Sequence, residues 1–251
     1  MSATDIKTAV KEKYGEIARN SGSCCGPTCG CGTGEGIAGS IMINELYKGE
    51  DADVLSRADL GLGCGTPTAF ADLEEGMTVL DLGSGAGIDV FLAARKVGPK
   101  GRAIGVDMTE AMIRRADENK AKLNATNTEF RPGEIENLPV AAGTVDRILS
   151  NCVINLVPDK RRAFAEMYRV LKPGGKFTVS DIVSVGEMPG EVRQDLSEWA
   201  GCVAGALDRE AYLNIAREAG FREVNVVSER AYTLHPSLSF GLQSITVSGT
   251  K

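Results

Sequence analysis

Three cysteines, Cys64, Cys152 and Cys202, stand far apart in the chain, each beside a glycine or within an apolar stretch. None has a neighbouring cysteine to pair with. Thiolate is the soft ligand among side chains, so lone thiols that converge only on folding can grip a soft, three-coordinate centre. A second signal is Asp81-Leu-Gly-Ser-Gly-Ala-Gly87, a loop whose glycines let backbone approach a nucleotide without a Cβ in the way. Together they point to an enzyme that holds a thiophilic atom and alkylates it. Taken singly, each cysteine reads as a small core residue.

Four further thiols, Cys24, Cys25, Cys29 and Cys31, crowd the N-terminal part. Four thiolates suit tetrahedral zinc, but the C-C-x3-C-x-C spacing is not a usual zinc knuckle. The total of seven cysteines is odd, and no export signal precedes them. A reducing compartment with free or ligand-binding thiols is therefore expected, and a cytoplasmic protein with it. The first residues lack the apolar core of a signal peptide, and no apolar stretch approaches the ~20 residues of a membrane span. A net charge of -6 without a basic run leaves no footprint for nucleic acid. His235 is the single histidine, which excludes multi-histidine metal sites. It precedes Pro236 and reads as a loop or strand-end residue. The chemistry should need little proton transfer.

The elements that must position these groups follow from periodicity. Ile6, Val10, Ile17 and Ala18 among charges suit an amphipathic helix over 4–20. Residues 21–40, dense in Gly, Ser, Cys and Pro, read as a mobile loop. Residues 51–73 read as a helix or turns leading into Gly63-Cys64-Gly65. Strands are expected at 77–82, 102–107, 127–131, 145–150 and 176–181. Helices are expected at 88–97, from a Thr109 cap to 123, and at 160–171, the last closed by Lys172-Pro-Gly-Gly. A helix at 208–219 and strands at 224–228 and 242–247 finish the chain. Strands alternating with helices predict a doubly wound, mostly parallel α/β sheet covered on both faces, its last strand antiparallel.

The glycine spacing separates this loop from a dehydrogenase loop. A pyrophosphate loop reads G-x-G-x-x-G, whereas this one reads G-x-G-x-G with an acid two residues before the first glycine. That acid, Asp81, would repel pyrophosphate but suits the amino-acid end of S-adenosylmethionine. Asp107 ends the second strand, where a carboxylate can accept both ribose hydroxyls. Gly133-Glu134-Ile135 follows the third strand, where an adenine pocket would form. Met108 is counted with the cofactor side, although Met108 and Met112 at helical spacing also suit packing. Trp199 suits either a wall of the substrate pocket or a buried aromatic.

These motifs, with Leu171-Lys-Pro-Gly-Gly before the fifth strand, resemble the class I S-adenosylmethionine-dependent methyltransferases over about residues 73–251. The resemblance implies a Rossmann-like sheet. It also implies Asp81, Gly83 and Gly85 on the methionine side, Asp107 at the ribose, Glu134 and Ile135 at adenine, and Asn151 facing the methionine. More specifically, Gly63-Cys64-Gly65, Asn151-Cys-Val-Ile-Asn155-Leu, Trp199-Ala-Gly-Cys202 and Cys24-Cys25 are similar to the arsenite methyltransferases. That resemblance implies As(III) held by Cys64, Cys152 and Cys202. It further implies an N-terminal cysteine, Cys25, in redox or delivery, and a thiol reductant (glutathione or thioredoxin) as co-substrate. It places an N-terminal cap with a Cys-rich loop at 1–72, the methyltransferase domain at 73–251, and a substrate-side insertion at 183–207. Alternatives are a methyltransferase of a small organic molecule, quinone-like in type, and a thiol-based metalloid or zinc binder.

Overall fold

The computed structural model describes residues 2–19, 47, 51–232 and 240–251. The cluster Cys24, Cys25, Cys29 and Cys31, and His235, lie outside the described residues, as does the expected loop over 21–40. Helix α1 (Ala3–Arg19) precedes α2 (Ala52–Ala58), and then β1 (Thr78–Leu82), α3 (Ile88–Val97), β2 (Arg102–Asp107), α4 (Glu110–Leu123) and β3 (Thr128–Pro132) alternate. β4 (Val145–Asn151), α5 (Lys160–Val170) and β5 (Leu171–Val185) continue the pattern. Two short helices, α6 (Gly190–Arg193) and α7 (Leu196–Ala200), lead into α8 (Arg209–Glu218), β6 (Arg222–Tyr232) and β7 (Gly241–Thr250).

The sheet order is β3-β2-β1-β4-β5-β7-β6. β7 pairs antiparallel with both β5 and β6, and the remaining pairs are parallel. Central strands read as apolar runs because helices cover both faces: Val79, Leu80 and Leu82 are buried, as are Ile148 and Leu149. At one end the core is aromatic, with the Phe177 and Phe221 rings edge to face at 4.7 Å and Phe164 beside them. Such pairs add about 0.5–1.5 kcal/mol beyond area burial.

Two local expectations are corrected. Lys172-Pro-Gly-Gly does not close α5; the helix stops at Val170 and the run opens β5. There the Gly174 N–H donates to the Lys251 carbonyl (3.1 Å) and the Lys251 N–H to the Gly175 carbonyl (2.9 Å), so pairing with the distant chain end wins over a local cap. Thr109 stands at the start of α4, but its hydroxyl makes no capping bond. Instead its N–H donates to Asp107 Oδ1 at 2.8 Å. Among the described residues, no helix is long and apolar enough to cross a membrane.

Candidate active site

A cavity opens at the carboxyl ends of β1, β2 and β4, where ligands of open α/β sheets bind. The loop from β1 to α3 runs through positive φ at Gly83 (+66°) and Gly85 (+51°). A Cβ on Gly83 would strike Val153, whereas one on Gly85 would meet nothing within 4 Å. The open side of Gly85 thus faces the cavity. Asp107 Oδ2 accepts the Gly85 N–H at 3.0 Å, so the expected ribose acid also ties the loop to the end of β2.

Asp81 lines the cavity and has no hydrogen-bond partner among the described residues. Burial, reinforced by Asp89 and Asp107, pushes its carboxyl well above the ordinary carboxylate range. The Ser84 hydroxyl, also on the wall, is buried without a partner among the described residues. Three carboxylates therefore gather where a ligand with an ammonium and a sulfonium would relieve them, and the donor set fits S-adenosylmethionine. Sequence reasoning missed Asp89, in the first turn of α3. Its Oδ2 accepts the Tyr47 hydroxyl at 2.8 Å, and burial raises its pKa to about 6.

Beyond β3 the cavity wall differs from the expected one. Gly133, Ile135 and Glu136 line the cavity, and Glu134 does not. Its carboxylate is held instead by Lys7 (2.8 Å) and Lys11 (3.6 Å) of α1. Two cations draw a half-exposed side chain outward, which reading residues 133–135 alone did not reveal. Lys7 also reaches Glu136 at 3.0 Å. Met108 and Met112 both line the cavity, so Met112 is not packing alone.

On the other side of the cavity the three distant cysteines meet. Cys64, Cys152 and Cys202 are free, buried, and part of one apolar cluster with Leu156, Ile182 and Val203. The neighbouring thiols of Cys202 and Cys64, with burial added, push the Cys152 thiol well up; burial raises Cys64. Cys152 lines the cavity itself. Cys152 and Cys202 both have left-handed backbone, at φ +60° and +66°. Residues with a Cβ avoid that region. Among the described residues, no three His, Cys, Asp or Glu donors stand as a preformed metal site.

Polar side chains anchor these segments. Asn151 was expected to face the methionine; it lines the cavity, but its amide is used by the protein. Its Oδ1 accepts the N–H groups of Cys64 (3.1 Å) and Gly65 (3.2 Å), and its Nδ2 donates to the Gly65 carbonyl (2.7 Å) and to Tyr47 (2.8 Å). The Ser244 hydroxyl donates to the Cys64 carbonyl at 2.7 Å. Only glycine fits at 65, since a Cβ there would strike the Ser180 hydroxyl. Asn155 Nδ2 donates to the Cys202 carbonyl at 2.8 Å, while its own N–H donates to buried Asp181 at 2.8 Å. Trp199 packs in the same cluster, its indole N–H donating to the Leu156 carbonyl at 3.1 Å.

A family model described as a methyltransferase domain matches residues 73–220. An arsenite methyltransferase of Halobacterium salinarum is 48% identical over 88% of this chain and 59% of its own length. The human arsenite methyltransferase is 33% identical over 92% of this chain and 62% of its own length. The chain thus spans about three-fifths of the length of these curated relatives. Among solved structures, an arsenic(III) S-adenosylmethionine methyltransferase of Chlamydomonas reinhardtii superposes with a TM-score of 0.71 at 35% identity, over 80% of this chain and 70% of that one.

Proposed function

The chain belongs to the arsenite methyltransferase family of class I methyltransferases, and from that premise we propose that it methylates trivalent arsenic with S-adenosylmethionine as donor. The observation that carries this reading is the meeting of three free, buried thiols from separate segments beside the glycine-loop cavity. As(III) forms three bonds in a pyramid and keeps a lone pair. Three thiolates satisfy it and leave the pair as nucleophile. Bound S-adenosylmethionine supplies a methyl carbon whose sulfonium departs as a neutral thioether.

The protein's own part is positioning and exclusion of water. Cys152 presents arsenic at the cavity wall, with Cys64 and Cys202 behind it. Asn151 and Ser244 seat Cys64, and Asn155 seats Cys202. Leu156, Ile182 and Val203 keep the centre dry. Arsenic loses no proton when it is methylated, so no general base is required. The thiols are not a preformed metal cage, and bond formation to arsenic would draw them together. Asp81 and Asp107 would hold the amino-acid and ribose ends, and Ile135 would wall the adenine.

Residues 1–72 would act as a cap on the 73–251 domain, with 183–207 as the substrate-side insertion. Cys25 would serve as the delivery or redox partner of Cys64. Alkylation of the lone pair oxidises arsenic by two electrons; two of its thiolates would return them by leaving as a disulfide, which glutathione or a thioredoxin-like protein would reduce to thiols. Single-turnover mass spectrometry with S-adenosylmethionine and arsenite tests the reading, and a methylarsenical is the expected product. Arsenite binding without product would make the protein a thiol-based binder. Methylation of a quinone-type acceptor in its place would favour an organic substrate.

A further inference from the structure

Helix α1 brings Lys7, Val10 and Tyr14, at helical spacing, to the cavity wall. The Tyr14 hydroxyl lies 3.9 Å from Cys202 Sγ. The Cys202 S–H already has an acceptor, the Cys152 carbonyl at 3.3 Å. In the contact between them, the O–H of Tyr14 is therefore the donor and the sulfur the acceptor. We infer that Tyr14 is a further substrate-site residue, donating a hydrogen bond to the Cys202 sulfur and holding that sulfur in place once it carries arsenic.

The inference rests on arsenic being the substrate. When arsenite binds, the sulfur–arsenic bond forms and an arsenic–oxygen bond breaks, and the thiol proton leaves with the displaced hydroxyl as water. Cys202 then has no proton to give the Cys152 carbonyl and loses that anchor. The contact with Tyr14 does not depend on the thiol proton and survives. Tyr14 should therefore matter more with arsenic bound than without it. Sulfur is a weak acceptor, so the effect is a tuning one.

Trp199, the single tryptophan of the chain, lies three residues before Cys202, and its fluorescence can report arsenic binding. Tyr14→Phe keeps the ring and removes the donor. It should weaken arsenite about two- to threefold, less than one full hydrogen bond because the contact is already present before arsenic binds, and leave S-adenosylmethionine affinity by calorimetry unchanged. In a Cys202→Ala background, where arsenite is held more weakly by Cys64 and Cys152 alone, Tyr14→Phe should cost nothing further. An equal loss in both backgrounds, or none in either, overturns the role of Tyr14. Should Tyr14→Phe not fold, 3-fluorotyrosine at position 14, a stronger donor, should tighten arsenite; unchanged affinity there overturns it too. Wild-type protein blind to arsenite would sink the arsenic reading and Tyr14 with it. An arsenite response that Tyr14→Phe leaves intact sinks Tyr14 alone.

Discussion

Two cysteines in left-handed backbone set the character of the site. A non-glycine residue there costs of order 1 kcal/mol or more and persists where the surroundings over-determine it. For Cys202 the determinants are its N–H donating to the Trp199 carbonyl (3.0 Å) and Asn155 holding its own carbonyl. For Cys152 the N–H donates to Ser180 at 2.7 Å. Cys152→Ser and Cys202→Ser should each abolish turnover of arsenite and methylarsenite, because a monomethyl centre needs at least two protein thiols and these two are the pair expected nearest the cofactor edge. Wild-type rates in either variant would remove that thiol from the clamp. Cys64→Ser should lose arsenite but keep some methylarsenite activity, and equal loss on both would end that division of labour. Asn151→Ala would strand the N–H groups of Cys64 and Gly65. Each stranded donor costs about 1–3 kcal/mol, so urea unfolding should show a loss of that order alongside reduced arsenite turnover. Unchanged stability would mean that Asn151 does not anchor the loop.

At the level of elements, the unusual piece is α1, which packs chiefly against α7 and α4. Lys7 and Lys11 pin it to Glu134 and Glu136 beside the cavity. Glu134 serves this latch in the structure, so Glu134→Gln should change S-adenosylmethionine affinity less than twofold. Its effect should appear as faster amide exchange along α1. A tenfold loss of affinity with unaltered exchange would return Glu134 to the adenine pocket. Asp107→Ala would have two effects: it frees the glycine loop and, on the proposed reading, removes an acceptor for the ribose. Calorimetry should show S-adenosylmethionine weakened by roughly 1.5–3 kcal/mol, the scale of hydrogen bonds to a charged group. Unaltered affinity would take Asp107 out of that role.

Across the whole molecule, buried carboxyls shape the pH dependence. Burial raises Asp81, Asp89 and Asp107 around the cavity, Asp89 to about 6, and raises Asp181 beneath the thiols to about 7. In the unfolded chain such groups titrate near 3.9. The folded state therefore holds the extra protons, and the stability they contribute is lost as pH rises through the folded values. Without ligand, the urea midpoint should fall between about pH 4 and pH 7. Asp89→Asn should flatten part of that slope, and a wild-type midpoint that rises over this window would contradict the burial argument. S-adenosylhomocysteine, which brings an ammonium to the acids, should stabilise the protein more at pH 7 than at pH 5.

Local pattern was enough for the sheet and the glycine loop. Apolar runs of strand length, the glycine spacing and Asp107 at a strand end are short-range features, and they placed β1 to β4 within a residue or so of where they lie. The three lone thiols were legible as candidates because no cysteine stood near them in sequence. Tertiary structure decided the rest. That Asn151 serves Cys64, that Lys7 takes Glu134 and that Tyr14 meets Cys202 are contacts between groups 87, 127 and 188 positions apart. No periodicity encodes such pairings. β5 ran longer than expected because its extra length is paired by β7, a partner some sixty residues downstream. Left-handed φ at Cys152 and Cys202 is equally invisible in sequence, since cysteine carries no local preference for it. Only the folded surroundings hold those two residues there.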